Sequence, residues 1–436
     1  MKTNPISNGM NKKALIGIIV GILAGLLIIT GLYFIFLSPK NNPGGNGIGL
    51  NSFFPIGGNV NNNVNNNNNI DGVPLGGVIG ENLILIPKLR KISSGPVAGF
   101  FTFDRRATTT LSNSTSTRIT STTTEIVIRY IEKATGHIYE TTNNTLISAR
   151  LSNTTFTKIH EAKFLNQRSL VLRRYDSNTA SIETYLASLI PVPATSTTNF
   201  ELQGTFLPRN ISQVATFGNK IFNLYTSLNG SSGFLINPAG SKEVAVFSSP
   251  LSGWNIEWVN ENQLVFQTKP SEGEEGYGFL FNPQTGATSQ LLGPEGGLTM
   301  KVNNDASSVL YSTHRKNTFI LFYKNLKENN GLQLLTKTFP EKCVWSRIQK
   351  TSAYCGVPQN LPSAKYPDDW YKGIISFSDN ILKFEADIFK EATILNLQTE
   401  SGEIIDAINL SLSPKEDYLF FINKRDGSLW SYDVRP

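Results

Sequence analysis

Cysteine, histidine and methionine are scarce in this sequence. Two cysteines, three histidines and three methionines occur in 436 residues, which is too little for a disulfide framework and leaves little material for metal or haem chemistry. Charged residues reach only 17%, below the proportion in helical bundles and coiled coils. Aromatic residues, at 10%, can supply a packed core and exclude a wholly disordered chain. With abundant glycine and proline, these shortages predict a β-rich protein without a cofactor.

A concentrated basic surface is also missing. Residues 81–436 hold 35 basic and 32 acidic groups, a net charge of +3 compared with +6 for the whole chain. Nucleic-acid binding needs basic residues gathered on one face, and pairs such as Arg105–Arg106 are more typical of solvated strand ends. We therefore expect no nucleic-acid partner.

Motifs of common hydrolases and nucleotide-binding proteins are absent. The sequence contains no G-x-S-x-G, no H-E-x-x-H and no phosphate-binding loop, so that no nucleophile or phosphate cradle is indicated. The three histidines, His137, His160 and His314, fall in different parts of the chain. We expect neither catalytic residues nor a bound metal.

A long uncharged apolar segment lies near the N-terminus. Ala14–Leu37 comprises 24 residues without a charge, and a helix of this length, about 36 Å, spans a hydrocarbon core of about 30 Å. Lys12 and Lys13 precede it directly, which by the positive-inside rule keeps residues 1–13 in the cytoplasm. No small-residue cleavage site follows. We predict that residues 14–37 are an uncleaved signal anchor that crosses the cell membrane once and leaves the C-terminal domain outside.

Glycine recurs at every fourth position of this segment, at Gly17, Gly21 and Gly25. Such a stripe lets two membrane helices pack closely and predicts a homo-oligomer, although glycine is frequent in membrane helices in general. Residues 38–80 are rich in Asn and Gly and almost uncharged, as expected of a disordered, flexible linker. Residues 81–436 then form the extracytoplasmic domain.

Short apolar strands separated by turns recur through this domain. Gly233-Phe-Leu-Ile-Asn-Pro-Ala-Gly is matched 45 residues later by Gly278-Phe-Leu-Phe-Asn-Pro-Gln-Thr-Gly, and each continues into another apolar strand. Two weaker copies begin at Phe319 and Thr393, and we expect the last to pair with Ile404–Ile405 in a hairpin.

A second hairpin precedes each of these. Trp254–Trp258 leads through a polar turn to Leu264–Phe266, and Leu298–Val302 leads similarly to Val309–Tyr311. Four strands in each unit, at a spacing of 43–45 residues, are typical of a β-propeller blade.

One repeat carries a recognisable signature. Ser413-Pro-Lys-Glu-Asp-Tyr-Leu-Phe-Phe421 resembles the S-P-D-G-x-x-hydrophobic-hydrophobic-F motif of TolB-like, WD-repeat-related propellers, and Asn304-Asp305 before Val309–Tyr311 is a weaker copy. The resemblance covers roughly residues 96–436. It implies a β-propeller of the bacterial cell envelope.

Seven four-stranded blades account best for the repeats, while six or eight stay open because residues 107–124 and 356–373 have the character of insertions. The last unit offers only three strands, and we expect Val97–Phe103 to supply the fourth and to close the ring. The remaining units are expected over residues 125–155 and 156–209, and from starts near residues 210, 254, 298 and 343.

Cys343 and Cys355 flank a turn and are placed to face each other across one hairpin. Outside the membrane such a pair favours a disulfide, and two free buried thiols are the alternative. A zinc site is disfavoured because no third and fourth ligands cluster nearby. In each case the role is structural.

The group Asp368, Asp369, Trp370 and Tyr371 lies in a proline-rich segment. Carboxylates beside aromatic rings can bind a sugar, a cation or a peptide. Alternatively, Trp370 and Tyr371 begin the next strand and the acids are merely solvated. These four residues are the candidate ligand contacts.

The favoured hypothesis is a membrane-anchored extracytoplasmic β-propeller that serves as a non-catalytic protein-binding or assembly scaffold of the cell envelope, with an envelope protein as its partner. The alternative is an envelope enzyme, or a carbohydrate- or peptide-binding protein, with its site at the mouth of the propeller. A ligand sensor that signals through the membrane helix is disfavoured, since residues 1–13 offer no output domain.

Overall fold

The computed structural model describes residues 85–435 except residues 113–117, 194–195, 238–241 and 316–317. The predicted anchor with its glycine stripe and the predicted linker lie outside the described residues. Within the described part of the chain, no helix is both long and apolar enough to cross a membrane.

The fold is a ring of seven antiparallel sheets, each with four strands. The first blade contains β2 (Val97–Ser112), β3 (Arg118–Glu132), β4 (Ile138–Thr142) and β5 (Ala149–Arg150), and the second β6 (Ile159–Phe164), β7 (Ser169–Asp176), β8 (Ser181–Pro191) and β9 (Phe200–Phe206). The third contains β10 (Ile211–Phe217), β11 (Lys220–Ser227), β12 (Gly230–Ile236) and β13 (Glu243–Ser249), and the fourth β14 (Trp254–Asn260), β15 (Gln263–Thr268), β16 (Glu275–Phe281) and β17 (Thr288–Gly296).

The other three blades follow in chain order. The fifth contains β18 (Thr299–Val302), β19 (Ser308–Arg315), β20 (Thr318–Asn325) and β21 (Asn330–Gln333), and the sixth β22 (Cys343–Trp345), β23 (Ser352–Pro358), β24 (Asp379–Glu385) and β25 (Lys390–Asn396). The seventh contains β26 (Ala407–Leu412), β27 (Tyr418–Asn423) and β28 (Leu429–Asp433), together with β1 (Leu89–Lys91). The predicted seven-bladed propeller is confirmed.

The hydrophobic core lies between adjacent blades. The third and fourth blades share a cluster that includes Phe222, Trp254 and Phe266, in which the rings of Phe222 and Phe266 meet edge to face at 5.7 Å. The third blade packs on both of its neighbours, since Ile221 belongs to the core shared with the second blade and Phe222 to the core shared with the fourth. The middle of β11 is therefore buried on both faces. The first strands of neighbouring blades lie side by side, as β10 and β14 do, so that they surround the central axis.

The ring is closed by β1, and the expectation that Val97–Phe103 would do so is wrong. Leu89 pairs with Tyr432 and Lys91 with Trp430, which makes β1 the outer strand of the seventh blade. Val97–Phe103 instead belongs to β2, the inner strand of the first blade. The first unit therefore begins near residue 97 rather than 125.

Two further predictions need correction. Thr393 lies in β25, which pairs with β24, and the chain then forms helix α2 (Leu397–Ser401) instead of a hairpin with Ile404–Ile405. Asn396 caps α2 by accepting a hydrogen bond from the Thr399 amide, so a local capping signal decides this segment. Of the two predicted insertions, the one at residues 356–373 lies mainly between β23 and β24 and contains helix α1 (Asp368–Tyr371). Trp370 and Tyr371 therefore do not begin a strand.

Candidate functional site

A cleft of about 730 Å³ lies on the axis of the ring. The second, third, fourth, fifth and seventh blades all contribute inner-strand side chains to it, and such strands converge only at the centre. Two connections between a second and a third strand line the same end of the cleft. They are the connection between β15 and β16 and the insertion between β23 and β24. Its polar lining consists of Glu161, Lys163, Gln213, Asn255, Glu257, Lys269, Lys301, Glu341, Asp368, Tyr371, Lys372 and Asn409.

The charged inner-strand side chains of this cleft are paired with one another. Lys301 Nζ lies 2.5 Å from Glu257 Oε1 across the fourth and fifth blades. Lys163 Nζ lies 3.1 Å from Glu161 Oε1 and donates to the Val214 carbonyl at 2.5 Å. The cleft therefore presents alternating charges, and a ligand that bears charges of both signs could exchange partners with them.

Glu341 and Tyr371 form a second polar contact at the cleft. Tyr371 donates its hydroxyl proton to the Glu341 carboxylate. The Glu341 side chain reaches solvent in the cleft but is surrounded by protein, and this desolvation raises its pKa to about 7 despite the Tyr371 hydrogen bond and the nearby Lys342 charge. Burial beside this carboxyl raises the pKa of Tyr371 well above 10. Glu341 is thus a carboxyl that changes its charge near neutral pH.

The insertion is attached to the fourth blade across the cleft. Asp368 accepts hydrogen bonds from the Glu272 amide at 2.6 Å and from Ser271 Oγ at 3.3 Å. Burial acts to raise the pKa of Asp368, but the Glu272 amide and Lys372 outweigh it and lower that pKa. The bonds hold α1 over one side of the cleft opening.

The four predicted ligand contacts divide into two pairs. Asp368 and Tyr371 line the cleft. Asp369 turns back to accept from the Lys365 amide at 2.8 Å, and Trp370 is buried, with its Nε1 donating to Asp406 Oδ2 at 2.9 Å. The alternation arises because α1 presents successive side chains to different sides, so half of the group stabilises the insertion.

Cys343 and Cys355 are joined by a disulfide with an S–S distance of 2.09 Å. They are directly opposite each other in the antiparallel pairing of β22 and β23, at the inner edge of the sixth blade. Both side chains are buried in the core shared with the fifth blade. The bond fastens the innermost hairpin of the blade that carries the insertion.

The histidines are not gathered at the cleft. His137 directly precedes β4, His160 lies in β6 and His314 in β19, in three different blades. Burial lowers the pKa of His160. Among the residues described by the structure, no group of three or more His, Cys, Asp or Glu side chains could hold a metal ion.

The inner-strand charges and Glu341 were missed from the sequence, although a signal for some of them exists. Glu257 is the one charged residue in Trp254–Trp258, and Lys301 occupies the corresponding position in the first strand of the next unit. A charged residue in the first strand of a blade lies near the axis, so these positions could have been recognised once the blades were aligned. Glu341 precedes its strand and carries no such signal.

Comparisons with known proteins concern the fold. Neither a protein-family model nor a curated protein matches the chain. Similar solved structures include an oligogalacturonate lyase in complex with manganese (8% identity, TM-score 0.45, covering 78% of this chain and 98% of that one). TolB from Acinetobacter baumannii is also similar (9% identity, TM-score 0.38, covering 77% of this chain and 79% of that one). So is the Dos1 propeller (10% identity, TM-score 0.42, covering 80% of this chain and 94% of that one). At these identities none of them assigns an activity to this chain.

Proposed function

We propose that this protein is a membrane-anchored, extracytoplasmic scaffold of the cell envelope that binds a segment of a partner protein at the axial cleft. The observation that carries the proposal is the set of ion pairs contributed by several blades to one cleft, Lys301–Glu257 and Lys163–Glu161. The predicted anchor at residues 14–37 places the propeller outside the membrane. Self-association through Gly17, Gly21 and Gly25 belongs to the same proposal.

The chemistry of the cleft favours a polar peptide as the ligand. Four lysines and four carboxyl groups line the cleft, and six of these eight groups form ion pairs with one another, so that an ion of one sign gains little on entry. A peptide with both charges and backbone amides can replace each pair with its own groups. Side-chain amides at Asn255 and Asn409 also line the cleft and supply donors and acceptors for an extended backbone. The amide of Gln213 is instead bonded to Trp254, Asn255 and Ile256 of the fourth blade.

A charge-swap experiment tests this proposal in native membranes. The double variant Glu257→Lys/Lys301→Glu keeps the ion pair but reverses its direction in the cleft. The matched control swaps Lys220 and Glu261, an exposed pair 3.2 Å apart at turns between first and second strands, at the opposite end of the blades. We expect cross-linking of the full-length chain to recover the same envelope protein with wild type and control, and about tenfold less with the cleft swap, a loss of about 1.4 kcal/mol. Equal recovery with both swaps would contradict the proposal.

The second candidate is an envelope enzyme, or a carbohydrate-binding protein, with its site at the same mouth. The Glu341–Tyr371 contact favours it, because a carboxyl whose pKa lies near 7 is suited to proton transfer. A turnover activity of the wild-type chain that Glu341→Gln abolishes, in membranes from which the wild-type chain recovers no envelope protein by cross-linking, would establish this alternative and overturn the scaffold.

A further inference from the structure

Three ionisable side chains meet in the interior beside the insertion. Lys342 ends a short 3-10 helix (Pro340–Lys342), Asp379 begins β24, and Asp406 directly precedes β26. All three side chains are fully buried. Lys342 Nζ lies 2.7 Å from Asp379 Oδ2 and also contacts Asp406 Oδ1. The carboxyl carbon of Asp379 can therefore be no further from Nζ than this distance plus one C–O bond.

The surroundings of the cluster are aromatic and dry. Lys342 Nζ lies 5.3 Å from the centre of the Trp370 ring and 5.2 Å from that of Phe377. The three groups in contact, one ammonium and two carboxylates, sum to a net negative charge, and burial of an uncompensated charge is costly. The Lys424 ammonium also acts electrostatically on Asp406. A bound proton on one of the carboxyl groups removes the net negative charge.

The two carboxyl groups differ in their hydrogen bonds. Asp406 Oδ2 accepts from Trp370 Nε1 at 2.9 Å, from the Phe377 amide at 3.0 Å and from Ser376 Oγ at 3.1 Å. These donors and Lys342 favour the carboxylate, and the pKa of Asp406 is lowered in spite of its burial.

Asp379 has fewer donors around it. Its Oδ2 accepts from the Ala407 amide at 2.7 Å as well as from Lys342, while Oδ1 is buried and has no hydrogen-bond partner among the described residues. Burial raises the pKa of Asp379 to about 6, despite the opposing Lys342 charge. Asp379 is therefore the carboxyl group of the cluster that takes up a proton more readily, and its Oδ1 is the oxygen without a partner.

We propose that Lys342 and Asp379 condense within the folded protein to an amide, an intramolecular isopeptide bond between Nζ and the Asp379 carboxyl carbon. The geometry provides an amine in contact with the carboxyl group of Asp379, in a fully buried site, and a second carboxyl group, that of Asp406, which touches the same amine. Such fixed proximity replaces a bimolecular encounter by an intramolecular one and is worth several powers of ten in rate.

The step balances without an oxidant or a co-reactant. Asp406 takes one proton from the Lys342 ammonium, and the lone pair of the neutral amine attacks the carboxyl carbon of protonated Asp379. Asp406 passes its proton to a hydroxyl group of the tetrahedral intermediate. The amine nitrogen loses a second proton, which Asp406 takes up and then releases to solvent. The C–OH bond breaks, one water molecule leaves, and an N–C bond remains. Asp406 is the catalytic residue of this step because it contacts the reacting nitrogen.

The bond would clamp the blade that carries the insertion. It would enclose β22, β23 and α1 in one covalent loop, beside the Cys343–Cys355 disulfide. Since an amide resists thiols, the insertion would stay fastened over the cleft under conditions that reduce the disulfide.

Mass spectrometry of the full-length wild-type chain tests the proposal directly. After thiol reduction of the disulfide and proteolysis, we expect a branched peptide that joins the segment around Lys342 to the one around Asp379, lighter by one water molecule than the two separate peptides. Linear peptides alone, with the summed mass intact, would overturn the proposal. This readout needs no variant and does not depend on whether a variant folds.

Variants then separate the roles within the cluster. Asp406→Asn retains the amine and the acid and is expected to yield only linear peptides, whereas Asp379→Asn should still cross-link but release ammonia in place of water. Lys424→Met is the matched control: Lys424 Nζ lies 4.9 Å from the centre of the Trp370 ring and donates to the Trp370 carbonyl but belongs outside the cluster, so the branched peptide should persist. A branched peptide that forms equally in Asp406→Asn would refute the role of Asp406.

Discussion

Glu341 is the residue whose charge responds most directly to pH at the cleft. Its pKa rises from 4.5 to about 7 on folding, so between these values the folded chain retains a proton that the unfolded chain has lost. The free energy of unfolding must therefore decrease as the pH rises through this window and level off above it.

Removal of the carboxyl should remove this part of the pH dependence. We expect Glu341→Gln to gain stability relative to wild type as the pH increases from 4.5 to about 7, with a constant difference at higher pH. Urea unfolding of both proteins across this range measures the difference. A difference that is constant throughout would mean that Glu341 titrates normally in the folded state.

The positions of several single side chains could not be predicted from the sequence. Trp370 and Asp369 belong to the predicted binding group by adjacency, yet they stabilise the insertion, because burial and backbone direction decide which neighbour faces the cleft. Conversely, Lys342, Asp379 and Asp406 are separated by 37 and 64 residues in the contacts they make, and no local pattern could bring them together.

At the scale of elements, two turns between first and second strands share an unusual conformation. Ala306 and Glu416 adopt φ values of 55° and 60°, in the left-handed region that favours glycine. Glu416 occupies the position of glycine in the S-P-D-G motif. Its carboxylate accepts from Ser346 Oγ and the Arg347 amide, each at 2.5 Å, so it ties the turn of the seventh blade to that of the sixth.

The two turns should respond in opposite ways to glycine. Ala306→Gly relieves the strain and is expected to raise the free energy of unfolding by about 0.5–1 kcal/mol after the entropy of glycine is counted. Glu416→Gly relieves the same strain but loses charge-assisted hydrogen bonds, and this substitution should lower the free energy of unfolding by about 1–2 kcal/mol. The urea denaturation midpoints of the two variants and of wild type measure these changes. Stabilisation by both substitutions would show that the Glu416 contacts contribute nothing to stability.

At the scale of the whole molecule, the short strand β1 connects the two ends of the ring. Arg90 is buried in this strand and donates to the Thr142 carbonyl at 2.9 Å and to Thr141 Oγ1 at 3.0 Å, both in β4 of the first blade. One side chain thus joins the seventh blade to the first.

Loss of this side chain should weaken closure of the ring. Arg90→Ala leaves a buried carbonyl without its donor, and we expect the free energy of unfolding to fall by about 2–4 kcal/mol. The matched control is Lys91→Ala, the adjacent residue, whose pairs with Glu403 and Asp426 are partly exposed and should contribute less than about 1 kcal/mol. Equal losses in the two variants, by urea or thermal unfolding, would exclude a special role for Arg90 in closure.

The architecture was readable from the sequence because hairpins are local. Alternating apolar residues and polar turns at a regular spacing specify blades one at a time, as the units beginning near Trp254 and Leu298 demonstrate. The pairing of Cys343 with Cys355 was accessible for the same reason, since both lie in one hairpin. Helix α2, with its Asn396 cap, was missed because the hairpin pattern of the other repeats was carried over to it.

Closure and the cleft were decided only by the tertiary structure. A three-residue strand such as Leu89–Lys91 carries too little pattern to be distinguished from a loop, and its partner lies at the other end of the chain. The cleft combines side chains from six blades, each ordinary in its own strand. Local hydrogen bonding and hydrophobic alternation act over a few residues, whereas ring closure and the meeting of charges on the axis depend on how seven sheets pack around one centre.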